Sequence, residues 1–140
     1  TLQQIQQKQG VTRMSNHQYL GIHHVSLLVS DLSRSIDFYL RVLGLEQDHA
    51  RPGMAFPGIW LNLGAQQSHL INLNKTSTGS AAGHPGRDTH FAISVNDINN
   101  ITEVLKRENI AFHLSKSGRN AVFCRDPDGN AIEFIERKIG

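Results

Sequence analysis

Histidine and glutamate recur at matched places along this chain. His24 opens the run His24-Val-Ser-Leu-Leu-Val-Ser-Asp-Leu32, and His90 opens His90-Phe-Ala-Ile-Ser-Val-Asn-Asp-Ile98, 66 residues later (90 − 24). A second pair follows each copy: His69 leads His-Leu-Ile-Asn-Leu and Glu133 leads Glu-Phe-Ile-Glu-Arg, 64 residues apart (133 − 69). Imidazole nitrogen and carboxylate oxygen suit a borderline divalent cation, and two or three histidines with one glutamate fit Zn, Ni, Co, Mn or Fe(II). A glutamate turned into a cavity from mid-strand is costly to bury unless a cation compensates it. Any one of the eight histidines is by itself more often a surface or hydrogen-bonded residue than a ligand. The internal repeat sets these four positions apart, because self-similarity at a fixed period reflects architecture.

The elements that must carry them follow from the hydrophobic pattern. From Ile22 the chain alternates, with His24, Ser26, Leu28 and Ser30 on one face and Val25, Leu27 and Val29 on the other, the period of a strand. Asp31 is placed to cap a helix whose stripe is Leu32, Ile36, Tyr39, Leu40 and Leu43 and which stops at Gly44. Strands are expected at about 45–50, 56–63 and 68–74, with a hairpin turn at 64–67. The second copy repeats the order: a strand near 89–95, a helix capped by Asp97, and strands near 110–114, 121–124 and 130–136. Asp126-Pro-Asp-Gly129 supplies the last turn. The unit is βαβββ, twice, an α+β fold of two tandem modules whose curved sheets surround a metal cavity. Phe91, Ile93 and Val95 must pack on the helix, which leaves His90 on the opposite, concave face. By the same parity Glu133 and His24 look into the cavity.

The bulk numbers fit one domain. At 140 residues a single core is expected over 21–137, with module one at about 21–74, a Gly- and Ser-rich linker at 75–87 and module two at about 88–137. Residues 1–20, with glutamines at 3, 4, 6, 7 and 9, read as a flexible polar arm that lacks the apolar stretch of a secretory signal. A net charge of +2 spread over scattered basic residues gives no nucleic-acid stripe. No apolar run approaches the roughly 18 residues of a membrane span. Cys124 has no partner for an internal disulfide, which fits a reducing, cytoplasmic setting, and no motif for nucleophilic catalysis.

The duplicated βαβββ pattern, the strand-Asp-helix signature and Asp126-Pro-Asp-Gly-Asn-Ala-Ile-Glu133 resemble the vicinal oxygen chelate superfamily. That family includes glyoxalase I, fosfomycin-resistance thiol transferases, methylmalonyl-CoA epimerase, extradiol dioxygenases and bleomycin-binding proteins. By position the resemblance makes His24, His69, His90 and Glu133 the ligands on the first, fourth, fifth and eighth strands. It implies one divalent metal ion, a homodimer, and a small-molecule substrate with vicinal oxygens. The fourth-strand ligand is usually Glu or Gln in glyoxalase I and the epimerase, so His69 is a departure that makes the shell one negative charge poorer. Leu28 is another, standing where bacterial glyoxalase I has a glutathione-binding arginine, and with Ile71 and Leu73 nearby a less polar substrate than glutathione is implied.

The resemblance favours a glyoxalase-like lyase or isomerase working through an enediolate-like intermediate, with Glu133 as both ligand and catalytic base. An extradiol dioxygenase with Fe(II) is the alternative, in which His24, His90 and Glu133 suffice and His69 stands behind them or faces substrate. A non-catalytic drug-binding protein of the bleomycin-resistance kind is the third reading. Arg87 and His84, before His90, are placed to clamp an anionic substrate. Arg119 and Asn120, before the seventh strand, are equivalent candidates, and Trp60 is expected at the cavity mouth. His23 has the opposite parity to His24 and is expected beside the site. For His17, His49 and His113 the pattern assigns no role.

Overall fold

Residues 16–73 and 83–139 are described by a computed structural model. Strand β1 (His24–Val29) leads to Asp31, whose carboxylate accepts from the Arg34 amide at 3.2 Å. Helix α1 (Leu32–Ile36) continues into a π-helical stretch, Asp37–Val42, and ends where Gly44 takes a φ of +74°. Strands β2 (Glu46–Asp48), β3 (Gly58–Leu63) and β4 (Gln66–Asn72) complete the first module. The second runs through β5 (His90–Val95), α2 (Ile98–Arg107), β6 (Phe112–Leu114), β7 (Ala121–Arg125) and β8 (Ala131–Glu136). Asp97 caps α2 by accepting from the Asn99 amide at 2.9 Å.

The strands form two four-stranded mixed sheets, ordered β1-β4-β3-β2 and β5-β8-β7-β6. In each, the first strand pairs parallel with the fourth and the remaining neighbours are antiparallel. The expected twofold βαβββ order is therefore the observed one. Several boundaries differ. The β3–β4 turn is only Gly64-Ala65, since Gln66 and Gln67 already belong to β4, and β2 shrinks to three residues. The end of the expected linker holds a 3-10 turn, Pro85–Arg87. The arm up to residue 15 and the linker at 74–82 lie outside the described residues.

Both sheets bury one face in a shared core. Val29, Ile59, Leu61 and Leu70 come from the first, Val122, Cys124, Ile132 and Phe134 from the second, and Phe38, Tyr39 and Leu105 from the helices. Burying each large side chain contributes about 1.5–3 kcal/mol. Gly58 has no room for a side chain, because a Cβ there would overlap the Leu70 carbonyl oxygen across the β3–β4 pair. A buried polar tie locks the modules together. Tyr39 donates its hydroxyl to Asp126 Oδ2 at 2.8 Å, and Asp126 also accepts from the amides of Asp128 and Asn130. Asn130 Nδ2 in turn donates to the Leu28 carbonyl at 3.1 Å, joining the β7–β8 turn to β1.

Candidate metal centre

The register places the candidate ligands by one rule in both modules. On β1–β4, His24 is level with Gln67, so His69 is its diagonal neighbour on the same face. On β5–β8, His90 is level with Ala131, so Glu133 is the equivalent diagonal neighbour. The repeat extends across both sheets. Ser26, His69, Trp60 and Asp48 form one row, and Ala92, Glu133, Phe123 and His113 form its counterpart.

In module one the three aromatic rings form a stack. His69 lies between His24, with centroids 3.9 Å apart and planes at 17°, and Trp60, at 4.4 Å and 9°. Gln67 sets the His69 tautomer. Its amide nitrogen donates to Asp48 Oδ2 at 2.7 Å and Asn62 Oδ1 at 3.1 Å, so Gln67 Oε1 is turned toward His69 Nε2 at 2.9 Å. The Asp48–Gln67 relay thus keeps the His69 proton on Nε2 and leaves the Nδ1 lone pair for a ligand. Burial, then the nearby His24, His23 and Arg51, lower the His69 pKa, which favours the neutral, ligating form. His24 Nδ1 lies 2.9 Å from Nδ1 of His23; with His24 as the donor, its Nε2 is bare. His23, of opposite parity, therefore touches the candidate ligand directly.

In module two His90 Nδ1 donates to the Asp88 carbonyl at 2.9 Å, which again leaves Nε2 bare. The Glu133 carboxylate is 5% exposed, and its ion-pair partner, Arg119, holds Nη2 3.7 Å from Oε1. That is beyond hydrogen-bonding range, so a buried carboxylate is only loosely compensated. Phe123 stands level with Glu133 on β7 and meets the His90 ring edge-on at 5.5 Å. Cys124, on the opposite face, is fully buried, and burial pushes its thiol up to about 12. Arg87 is exposed on the 3-10 turn, away from the ligand pairs in register.

One chain therefore holds its candidates as two pairs, His24 with His69 and His90 with Glu133, on the faces of different sheets. Among the described residues no group of three or more His, Cys, Asp or Glu is gathered to hold one ion. A cavity of about 410 Å³ runs between the outer edges of β1 and β5, and of the four candidates only His90 lines it. The donor types and their free ring nitrogens fit a divalent cation; each face supplies half of a shell. Sequence reasoning missed the Asp48–Gln67 relay, Phe123 and His113. The repeat offset is the signal that would have found the last two, since 123 − 60 = 63 and 113 − 48 = 65 bracket the His69 to Glu133 spacing.

Paired βαβββ modules with two His/acid half-shells on open sheet faces define the class of protein. The model of the Glyoxalase/Bleomycin resistance protein/Dioxygenase superfamily matches residues 21–134, and the chain belongs to that superfamily. It is similar to the lactoylglutathione lyase of Haemophilus influenzae, 34% identical over 133 residues, covering 85% of this chain and 94% of the relative. The Neisseria meningitidis enzyme of the same name is 30% identical over 131 residues, with 84% and 91% covered. The chain spans only 35% of the length of a chloroplastic relative from Arabidopsis thaliana. Among solved structures, a lactoylglutathione lyase from Agrobacterium tumefaciens superposes with a TM-score of 0.61 at 23% identity, over 86% of this chain and 96% of that one. A fosfomycin resistance protein from Listeria monocytogenes, complexed with Mn(II) and 1S,2S-dihydroxypropylphosphonic acid, superposes at 0.67 and 12% identity, over 87% and 95%. No described helix is long and apolar enough to cross a membrane.

Proposed function

We propose that this protein is a cytoplasmic, divalent-metal-dependent lyase or isomerase resembling glyoxalase I, acting on a small substrate with vicinal oxygens, and that two copies complete each site. The observation that carries the reading is the matched diagonal register of His24–His69 and His90–Glu133, with the His69 and His90 tautomers held so that one ring nitrogen stays bare. The relatives named lactoylglutathione lyase support the same reaction class. Zn, Ni, Co, Mn and Fe(II) all suit the donor set.

His24 and His69 of one protomer and His90 and Glu133 of the other would hold the ion, which when bound supplies Lewis-acid stabilisation of negative charge on two neighbouring substrate oxygens. Glu133 takes a proton from the adjacent carbon and returns it to its neighbour. Phe123, level with it in the sheet, keeps that side of the carboxylate apolar, and Arg119 is the cation placed to hold the charge of Glu133 when it moves. The Trp60–His69–His24 stack fixes the opposite wall as a rigid surface. Ring-cleaving dioxygenase chemistry with Fe(II) needs only His24, His90 and Glu133 and leaves the Asp48–Gln67–His69 relay without a purpose.

The test is elemental analysis of protein purified without added metal, for the natural chain, His90→Ala and Glu133→Ala, with parallel assays on hemithioacetals and catechols. Bound metal lost in both variants and turnover of a hemithioacetal are expected. Undiminished metal in both variants would remove the catalytic reading, and ring cleavage of catechol would move it to the dioxygenases.

A further inference from the structure

The two modules differ where their repeated rows reach the outer strand. In module one that place is Asp48, committed to Gln67. In module two it is His113, exposed on β6, with Phe123 and then Glu133 beyond it in the same row. At the usual interstrand spacing His113 stands about 10 Å from Glu133, two strands away. The His84 ring, carried over the sheet by the 3-10 turn, lies 4.8 Å from His113 and 5.3 Å from Phe123.

His84 is held in one orientation. Its Nδ1 accepts the Gly86 amide at 3.0 Å, so the neutral ring carries its proton on Nε2 and offers a donor. Gly86 admits no side chain without crowding the His84 and Phe123 rings, each 3.1 Å from where a Cβ would sit, so the turn is packed onto this cluster. The surrounding charge is cationic. Besides His113, the groups that act on His84 are Arg87, Lys116 and Arg125, and with burial as the largest cause they hold its pKa below the ordinary histidine value. Arg125 is consumed by Asp88 at 2.9 Å and by the carbonyls of Gly83 and Gly129. Arg119 faces Glu133. Arg87 and Lys116 have no acidic partner among the described residues. An Nε2–H donor beside two uncompensated cations is a setting for an anion.

We propose that His84 and His113, flanked by Arg87 and Lys116, form a subsite for an acidic group, carboxylate or phosphate, on the substrate. This rests on the reading of Glu133 as the reacting end. The substrate class follows from the spacing: vicinal oxygens at one end, an acid about 10 Å away (two strand spacings), and an apolar segment between them lying on Phe123.

The test uses metal-free full-length protein, with succinate and inorganic phosphate as probes and imidazole 15N–1H spectra as the readout. Saturable shifts of the His84 and His113 signals are expected, with affinity falling about tenfold or more in His84→Gln/His113→Gln. Tighter binding of succinate assigns a carboxylate, and tighter binding of phosphate assigns a phosphate ester. Lys116→Glu, at an exposed position, must weaken both probes by a similar factor and covers the case in which the double variant fails to fold. Absent or non-saturating shifts, or undiminished affinity in Lys116→Glu, would overturn the subsite. Because no metal is present, a failure of the metal reading leaves this titration unchanged.

Discussion

If each site takes half of its shell from each of two copies, damage on one chain can be repaired by another. One variant carries His24→Ala and His69→Ala, and a second carries His90→Ala and Glu133→Ala. Each alone forms dimers in which every site has lost one complete pair of ligands, so neither retains metal or activity. After equal mixing under conditions that exchange protomers, about half of the dimers are mixed, and each mixed dimer holds one intact site and one fully stripped site, so metal and activity return to about a quarter of the natural level. The number comes from the structure: the residues divide two and two between the sheets, His24 with His69 and His90 with Glu133. Differently tagged variants, co-purified through both tags and examined by elemental analysis and a hemithioacetal assay, raise the expected recovery to about half, since every captured dimer is mixed. Zero recovery in doubly captured dimers would refute the shared site, as would full metal retention by either variant alone.

Three other perturbations test the fold that holds the half-sites. Tyr39→Phe removes one donor from buried Asp126, which keeps the Asp128 and Asn130 amides, so a loss of about 1–2 kcal/mol in urea unfolding is expected. Gly58→Ala drives a methyl into the Leu70 carbonyl and should cost about 3 kcal/mol or more, read as a collapse of the thermal transition. Arg41 bridges Asp37 and Glu108 and holds both carboxyls below their ordinary values. Folded pKa values below the unfolded ones of 3.8 and 4.5 mean that this contribution is present above those pH values and is lost as pH falls below them. Arg41→Gln should therefore flatten the acid limb of a stability-versus-pH curve below about pH 4.5 and change little at pH 7, where these exposed charges are screened.

The four candidate ligands were legible because strand parity is a local property. A period of two put His24, His90 and Glu133 on the face away from Leu27, Ile93 and Phe134, and the burial of those three neighbours follows the same alternation. Helix limits were legible for a similar reason, since Asp31, Asp97 and Gly44 act within a turn of where they stand. Pattern alone missed the short β3–β4 turn, because the Gln67 side chain is held by Asp48 and Asn62 on neighbouring strands rather than by its own flanks.

By itself the chain determined the twofold unit, the face on which each candidate ligand lies and the identity of the donors, all of which follow from repetition and from contacts between near neighbours. Only the tertiary structure decided that the two faces stay apart within one copy, that Gln67 selects the His69 tautomer and that His84 meets His113. Those outcomes depend on how the two sheets and the 3-10 turn settle around a common core, where residues tens of positions apart compete for the same space and no local periodicity records the winner.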